Sequence, residues 1–147
     1  MELLTILKSA ELFQGLSTDQ LARIAGLAET ETYKSDDYIF RQGDFGDKMY
    51  IIGDGQVEIR VNVTDGHFAA LYLGQGQLFG EMALLDQGRR SASVVAVQDP
   101  TIVFGIPSGT FNELCYQDTT IGYIIMRNMA LDLSFKLRHR NFDPAAG

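Results

Sequence analysis

The residues of this chain able to do chemistry together gather between Phe79 and Val94. Gly80 and Glu81 open the stretch, and Arg89 and Arg90 follow the turn Asp86-Gln87-Gly88. Phe79 to Leu85 reads as one or two turns of helix set between strands. The first turn of such a helix presents unpaired backbone N–H groups, and with the helix dipole these favour an anion. Gly80 at the entry lets that anion come close to the backbone. An arginine arriving from the next loop adds a charge-assisted contact that suits phosphate oxygens. Glu81 would repel a bare phosphate, but a carboxylate is a strong acceptor for a sugar hydroxyl, the use made of an acid in dinucleotide folds. An acid for sugar, a base for phosphate and a helix start between them describe a compact nucleotide site.

Other residues nearby have plainer readings. Arg89 is a solvated surface arginine, Phe79 a core residue, and Tyr72 an outward-facing neighbour of Leu71 and Leu73. Arg138 is a charge at a helix end. Glu81 and Arg90, each taken alone, would be a helix-cap acid and a surface arginine. Their common setting around Gly80 is what marks them.

The elements that must hold this stretch are legible on both sides of it. Leu3, Leu4, Leu7, Leu12 and Phe13 keep helical spacing until Gly15. Ser17, with Gln20 three residues on, starts a second helix as a capping box, and Leu21, Ile24, Ala25 and Ala28 form its apolar face. From Thr30 short β-type runs alternate with Gly and Asp punctuation: Tyr38–Phe40, Met49–Ile52, Val57–Val63 and Ala69–Leu73. Thr64-Asp65-Gly66 signals a hairpin, and Asp99-Pro100 separates the runs Ser93–Val97 and Ile102–Ile106. About eight short strands in ~75 residues predict a β-roll or jelly roll. The fold class is therefore mainly β with flanking helices. Ile121, Ile125, Met129, Leu133 and Leu137 recur every four residues, widened by Ile124, Leu131 and Phe135. They predict an amphipathic helix, or two joined by a bend, packed on the roll, with Arg127, Lys136, Arg138 and Arg140 toward its end. The organisation expected is one domain, 1–147: N-terminal helices over 1–29, a roll over 30–107 carrying the ligand segment 79–94, and C-terminal helices over 108–141. Residues from Asn141 on read as a frayed tail.

Charge and composition exclude several functions. A net charge of -7 lacks the basic field that nucleic acid needs, although two local arginines suffice for one phosphate. Cys115 is the only cysteine, so neither an intrachain disulfide nor a cysteine metal cluster is available. The opening residues lack the basic start of a secretory signal, and no apolar run approaches the ~20 residues of a membrane span. A cytoplasmic location without membrane attachment is expected. His67 and His139 are too few and too separated for a metal-dependent jelly-roll enzyme, and no Ser-His-Asp set or Cys-His pair is evident. The expectation is a binding module, not an enzyme, with no cofactor. A DNA-reading module after the long helix would need residues that the run to Gly147 does not contain.

The run F-G-E-M-A-L-L-D-Q-G-R-R-S-A-S-V-V-A, Phe79 to Ala96, resembles the phosphate-binding cassette of the cyclic-nucleotide-binding domain family, which includes protein kinase regulatory subunits, catabolite activators and ion channels. Gln42-Gly43-Asp44 and Gly53-Asp54-Gly55-Gln56-Val57 resemble the family's strand turns. The resemblance covers nearly the whole chain. It implies cAMP as the ligand, with cGMP as the alternative, and a regulatory role relayed through the C-terminal helix to a second copy or an effector protein. It implies that Glu81 accepts the ribose 2′-OH and Arg90 pairs with the cyclic phosphate. Backbone amides near Gly80, Ala83 and Ser91 would bond the remaining oxygens, and Leu71, Leu73 and Val63 would line the wall against the base. Ser91 stands where the channel branch commonly has Thr, and it also occurs in cAMP receptors. The other use of the same fold is a ligand-free assembly module, against which an intact Glu81 and Arg90 argue.

Overall fold

The computed structural model describes residues 2–63, 66–86 and 88–141. Two helices open the chain, α1 (Leu3–Ser9) and α2 (Thr18–Ala25), with a 3-10 turn at Glu11–Phe13 between them. The run expected as one helix to Phe13 is thus divided at Ala10, whose extended backbone (φ -78°, ψ 133°) ends α1 and lets the turn restart. The second helix begins as its sequence dictates. Gln20 N–H donates to Ser17 Oγ at 3.2 Å, and Ser17 N–H donates to Gln20 Oε1 at 2.9 Å, two otherwise orphaned donors satisfied reciprocally.

Eight strands follow: β1 (Glu29–Tyr33), β2 (Tyr38–Phe40), β3 (Lys48–Asp54), β4 (Gln56–Val63), β5 (Gly66–Gly74), β6 (Leu78–Phe79), β7 (Ser93–Ala96) and β8 (Thr101–Pro107). They form two four-stranded sheets, β1-β8-β3-β6 and β2-β7-β4-β5, antiparallel throughout. This is the roll that the spacing of strands implied. β4 and β5 pair out to Val63 opposite Gly66; Thr64 and Asp65 of the expected hairpin turn, and the side chains of Val63 and His67, lie outside the described residues. The register slips between Ile59 and Arg60, so the alternation read from Val57 to Val63 is broken by a bulge.

β3 explains the layering. Its side chains alternate between faces, yet Met49 to Gly53 are all buried. Met49 and Ile51 join Ile6, Phe13, Ile24, Phe111, Ile121 and Ile125 in a core between sheet and helices. Tyr50 and Ile52 join Ile39, Val57, Phe79, Val94 and Val103 in a second core between the sheets. A strand covered on both faces reads as an unbroken apolar run, which is how Met49-Tyr50-Ile51-Ile52 appears in sequence.

The chain closes in α3 (Ser108–Gln117) and α4 (Thr119–Asn141), separated at Asp118. The four-residue stripe of α4 packs only along its first half. Ile121, Ile125 and Met129 are buried, whereas Leu133 and Leu137 are exposed, as are Leu131 and Phe135. Contrary to what its spacing predicts, the stripe therefore does not pack on the roll along its whole length. At ~100° per residue a four-residue repeat drifts ~40° per step, so Leu137 stands about 160° from Ile121 around the axis.

Candidate functional site

Between β6 and β7 the backbone makes a single 3-10 turn, Glu81–Leu84, rather than the one or two helical turns expected. Gly80 enters it in the left-handed region (φ 73°), a conformation costly for any side chain with a Cβ. Ala83 and Leu84 face inward, and Leu84 belongs to the helix-side core with Phe111 and Ile121. The turn is therefore anchored to the helices through Leu84 while its outer residues, Glu81 and Met82, border open space.

That space is a cavity of about 470 Å³ bordered by Phe40, Ile59, Phe79, Gly80, Glu81, Ala83, Arg90, Ser91 and Val94, among others. Five of the seven residues singled out from sequence therefore meet in one place: Gly80, Glu81, Ala83, Arg90 and Ser91. Leu73 borders a neighbouring groove of about 1060 Å³ between the roll and α4, which also includes Glu81, Met82, Asp132 and Lys136. Leu71 borders neither space and is 52% exposed. The amide of Ala83 donates to Gly80 O at 3.2 Å and is thus already used within the turn. Gln87, in the middle of the segment, lies outside the described residues.

Arg90 is the most constrained polar group of the cavity. Its Nη2 donates to Lys48 O at 2.7 Å and its Nη1 to Gly80 O at 3.4 Å. Its Cζ lies 4.0 Å from the Phe40 ring centroid, cation–π range, and Phe40 in turn contacts Tyr50 and Phe79, which stack on each other at 5.1 Å. Nε is buried with no hydrogen-bond partner among the described residues. Burial pushes the guanidinium below its ordinary value, against the pull of Tyr50, Asp47 and Asp44; an arginine stays charged at any physiological pH nonetheless. A half-buried cation with no carboxylate paired to it among the described residues is costly alone, and an anion in the cavity would offset its charge. Glu81 makes no ion pair with a described residue.

The loop from Gln42 to Asp47, which reads in sequence only as a turn, holds Arg90 in place. Arg90 N–H donates to Asp44 O at 2.6 Å, Gly43 N–H to Arg90 O at 2.9 Å and Gly46 N–H to Gly88 O at 2.9 Å. Gln42 N–H reaches Ser93 Oγ at 2.8 Å. Arg89 donates to Gly43 O at 2.8 Å and lies 4.4 Å over the Phe45 ring; it is exposed and also borders the cavity, with its guanidinium held by the loop. No motif announces these pairings, because most are made by main-chain atoms and all join residues more than 40 positions apart.

The family model for the cyclic nucleotide-binding domain matches residues 30–118, well over half of the chain. The chain belongs to the cyclic-nucleotide-binding domain family. This cyclic-nucleotide-binding domain is 37% identical over 98 residues to the cyclic AMP receptor protein of Thermus thermophilus, covering 66% of this chain and 45% of that protein. It is 34% identical over 110 residues to human cGMP-dependent protein kinase 2, covering 73% of this chain but only 14% of the kinase. The chain thus spans under half the length of these relatives. The crystal structure of the Thermus thermophilus catabolite activator protein superposes with a TM-score of 0.78 at 31% identity, over 90% of this chain and 60% of that one. Among the described residues, no helix is long and apolar enough to cross a membrane and no group of three or more His, Cys, Asp or Glu could hold a metal ion.

Proposed function

We propose that the cavity at Gly80, Glu81 and Arg90 binds a cyclic nucleotide and that the domain serves as a sensor without catalytic activity of its own. The single observation carrying this reading is the Arg90 guanidinium: half-buried at the cavity, braced on two carbonyls, and paired with no carboxylate among the described residues. Arg90 pairs with the cyclic phosphate, and Glu81 across the same cavity accepts the ribose 2′-OH. Main-chain groups near Gly80 and Ser91 serve the remaining oxygens; the amide of Ala83 must be shared with Gly80 O or released. Leu73, in the adjoining groove that shares Glu81 and Met82 with the cavity, gives the base an apolar wall. cAMP is the ligand proposed and cGMP the alternative, supported by relatives named for each and by the exposed Ser91 hydroxyl at the cavity edge.

Occupancy is relayed through α4. The groove along that helix shares Glu81 and Met82 with the ligand cavity, so a ligand on Glu81 acts on a surface that α4 also borders. A ligand shifts the helix only by binding one arrangement better than the other. The partner is a second copy or an effector protein, reached through the exposed Leu131, Phe135 and Leu137 of α4. The same exposed residues support the second reading, an assembly module without ligand. Calorimetric titration with cAMP and with cGMP separates the two: heat from either nucleotide supports the sensor, and silence with both supports assembly alone.

A further inference from the structure

We infer that Gly46 is a positioning residue for Arg90: it is glycine because the guanidinium occupies the space where its side chain would stand. The inference rests on the proposed role of Arg90 in binding the cyclic phosphate, and it adds a residue outside the 79–94 segment to the determinants of affinity.

Gly46 is buried in the loop between β2 and β3, flanked by the exposed Phe45 and Asp47. Its backbone is not in the left-handed region, unlike that of Gly43 (φ 92°) in the same loop or Gly80 (φ 73°) in the cassette. Conformation therefore does not demand a glycine at this position. Space does. A Cβ on Gly46 would lie 2.8 Å from both Cζ and Nε of Arg90 and 3.0 Å from Nη1, and no other atom comes as near. Carbon atoms in contact rest at ~3.5–4.0 Å, so the overlap cannot be absorbed without movement.

The moving part must be the guanidinium. Gly46 is fixed by its N–H bond to Gly88 O, and the strand that follows begins two residues later. The guanidinium is the free end of a long side chain, but the Phe40 ring and the carbonyls of Lys48 and Gly80 hold its present position. A methyl group at 46 would push it off these supports. The chain would still fold, since a side-chain end yields more readily than backbone, while the arginine would no longer present its donors to the cavity. Gly46 thus sets where the charge sits without touching the ligand.

The test is a double-substitution cycle on the full chain, Gly46→Ala and Arg90→Ala singly and together, read by calorimetry with cAMP and cGMP. Gly46→Ala is expected to weaken binding roughly tenfold, the loss of about one charge-assisted hydrogen bond. In the Arg90→Ala background it is expected to change affinity by less than about twofold, the scatter of independent sites. Binding equal to wild type, or an equal loss in both backgrounds, would overturn the inference and leave the nucleotide reading standing. A ligand-free readout separates the two further. The Arg90 Nε–H resonance, assigned by its absence in Arg90→Ala, is expected to shift in Gly46→Ala, and an unmoved resonance overturns the inference even if no nucleotide binds. Should Gly46→Ala not fold, the double variant is expected to fold again; its failure would show that the guanidinium is not what the methyl group meets.

Discussion

Arg90 Nη2 rests on the carbonyl oxygen of Lys48, 2.7 Å away and 42 residues earlier in the chain. Lys48 is the first residue of β3, and its own ammonium pairs with Glu31 at 3.1 Å and Glu29 at 3.5 Å. The cassette arginine is thus seated on the sheet that carries both cores, so substitutions that disturb its second seat, Gly80, should reach stability and binding together.

Gly80→Ala tests that coupling. The substitution forces an L-residue to φ 73° and sets a Cβ 2.7 Å from Arg90 Nη1. A non-glycine residue in the left-handed region costs about 1–2 kcal/mol, and the displaced arginine adds a binding defect. Thermal melting is expected to fall by roughly 3–8 °C, with weaker nucleotide binding in the same protein.

The capping box of α2 offers a control remote from the cavity. Ser17→Ala removes the acceptor for Gln20 N–H and is expected to cost about 1 kcal/mol in denaturant unfolding with nucleotide affinity unchanged.

Burial along α4 divides the stripe into a core half and an open half. Ile125→Ala, fully buried, is expected to cost about 2–5 kcal/mol. Leu137→Ala, 57% exposed, is expected to change monomer stability by no more than about 0.5 kcal/mol. Equal costs from chemical denaturation would contradict this division.

Acid should act through Asp118, which joins α3 to α4. Burial alone would raise its carboxyl, but hydrogen bonds from Ile121 N–H, Gln20 and Thr120 N–H and the charge of Arg23 hold it below the ordinary 3.8. A carboxyl depressed on folding contributes stability above its unfolded value, and that contribution is lost as pH falls through the lower folded value. The melting-temperature gap between wild type and Asp118→Asn is therefore expected to be full near pH 6 and to close as pH drops below about 4. A gap that stays constant with pH would contradict it.

Local signals were the legible part of this fold. Ser17 and Gln20 announced a cap with its partner three residues away, and Gly and Asp punctuation announced the strands. The Gly80-Glu81 and Arg90 spacing announced the cavity, because those residues lie in one short segment. What was not legible depends on distant pairing. The division of α4 follows from helical drift against a sheet whose position no local pattern gives. The hold of residues 42–47 on Arg90 is made by carbonyls and amides, which every residue carries. The broken alternation at Ile59 likewise follows from a bulge set by the partner strand.

The central claim is that Arg90 and Glu81 hold a cyclic nucleotide, and calorimetry tests it most directly with cAMP and cGMP on wild type, Arg90→Ala and Glu81→Ala. Saturable binding by wild type is expected, weakened by about 2–3 kcal/mol, or roughly 30- to 150-fold, in Arg90→Ala, and weakened also in Glu81→Ala. No binding of either nucleotide by wild type, or unchanged binding by Arg90→Ala, would contradict the account.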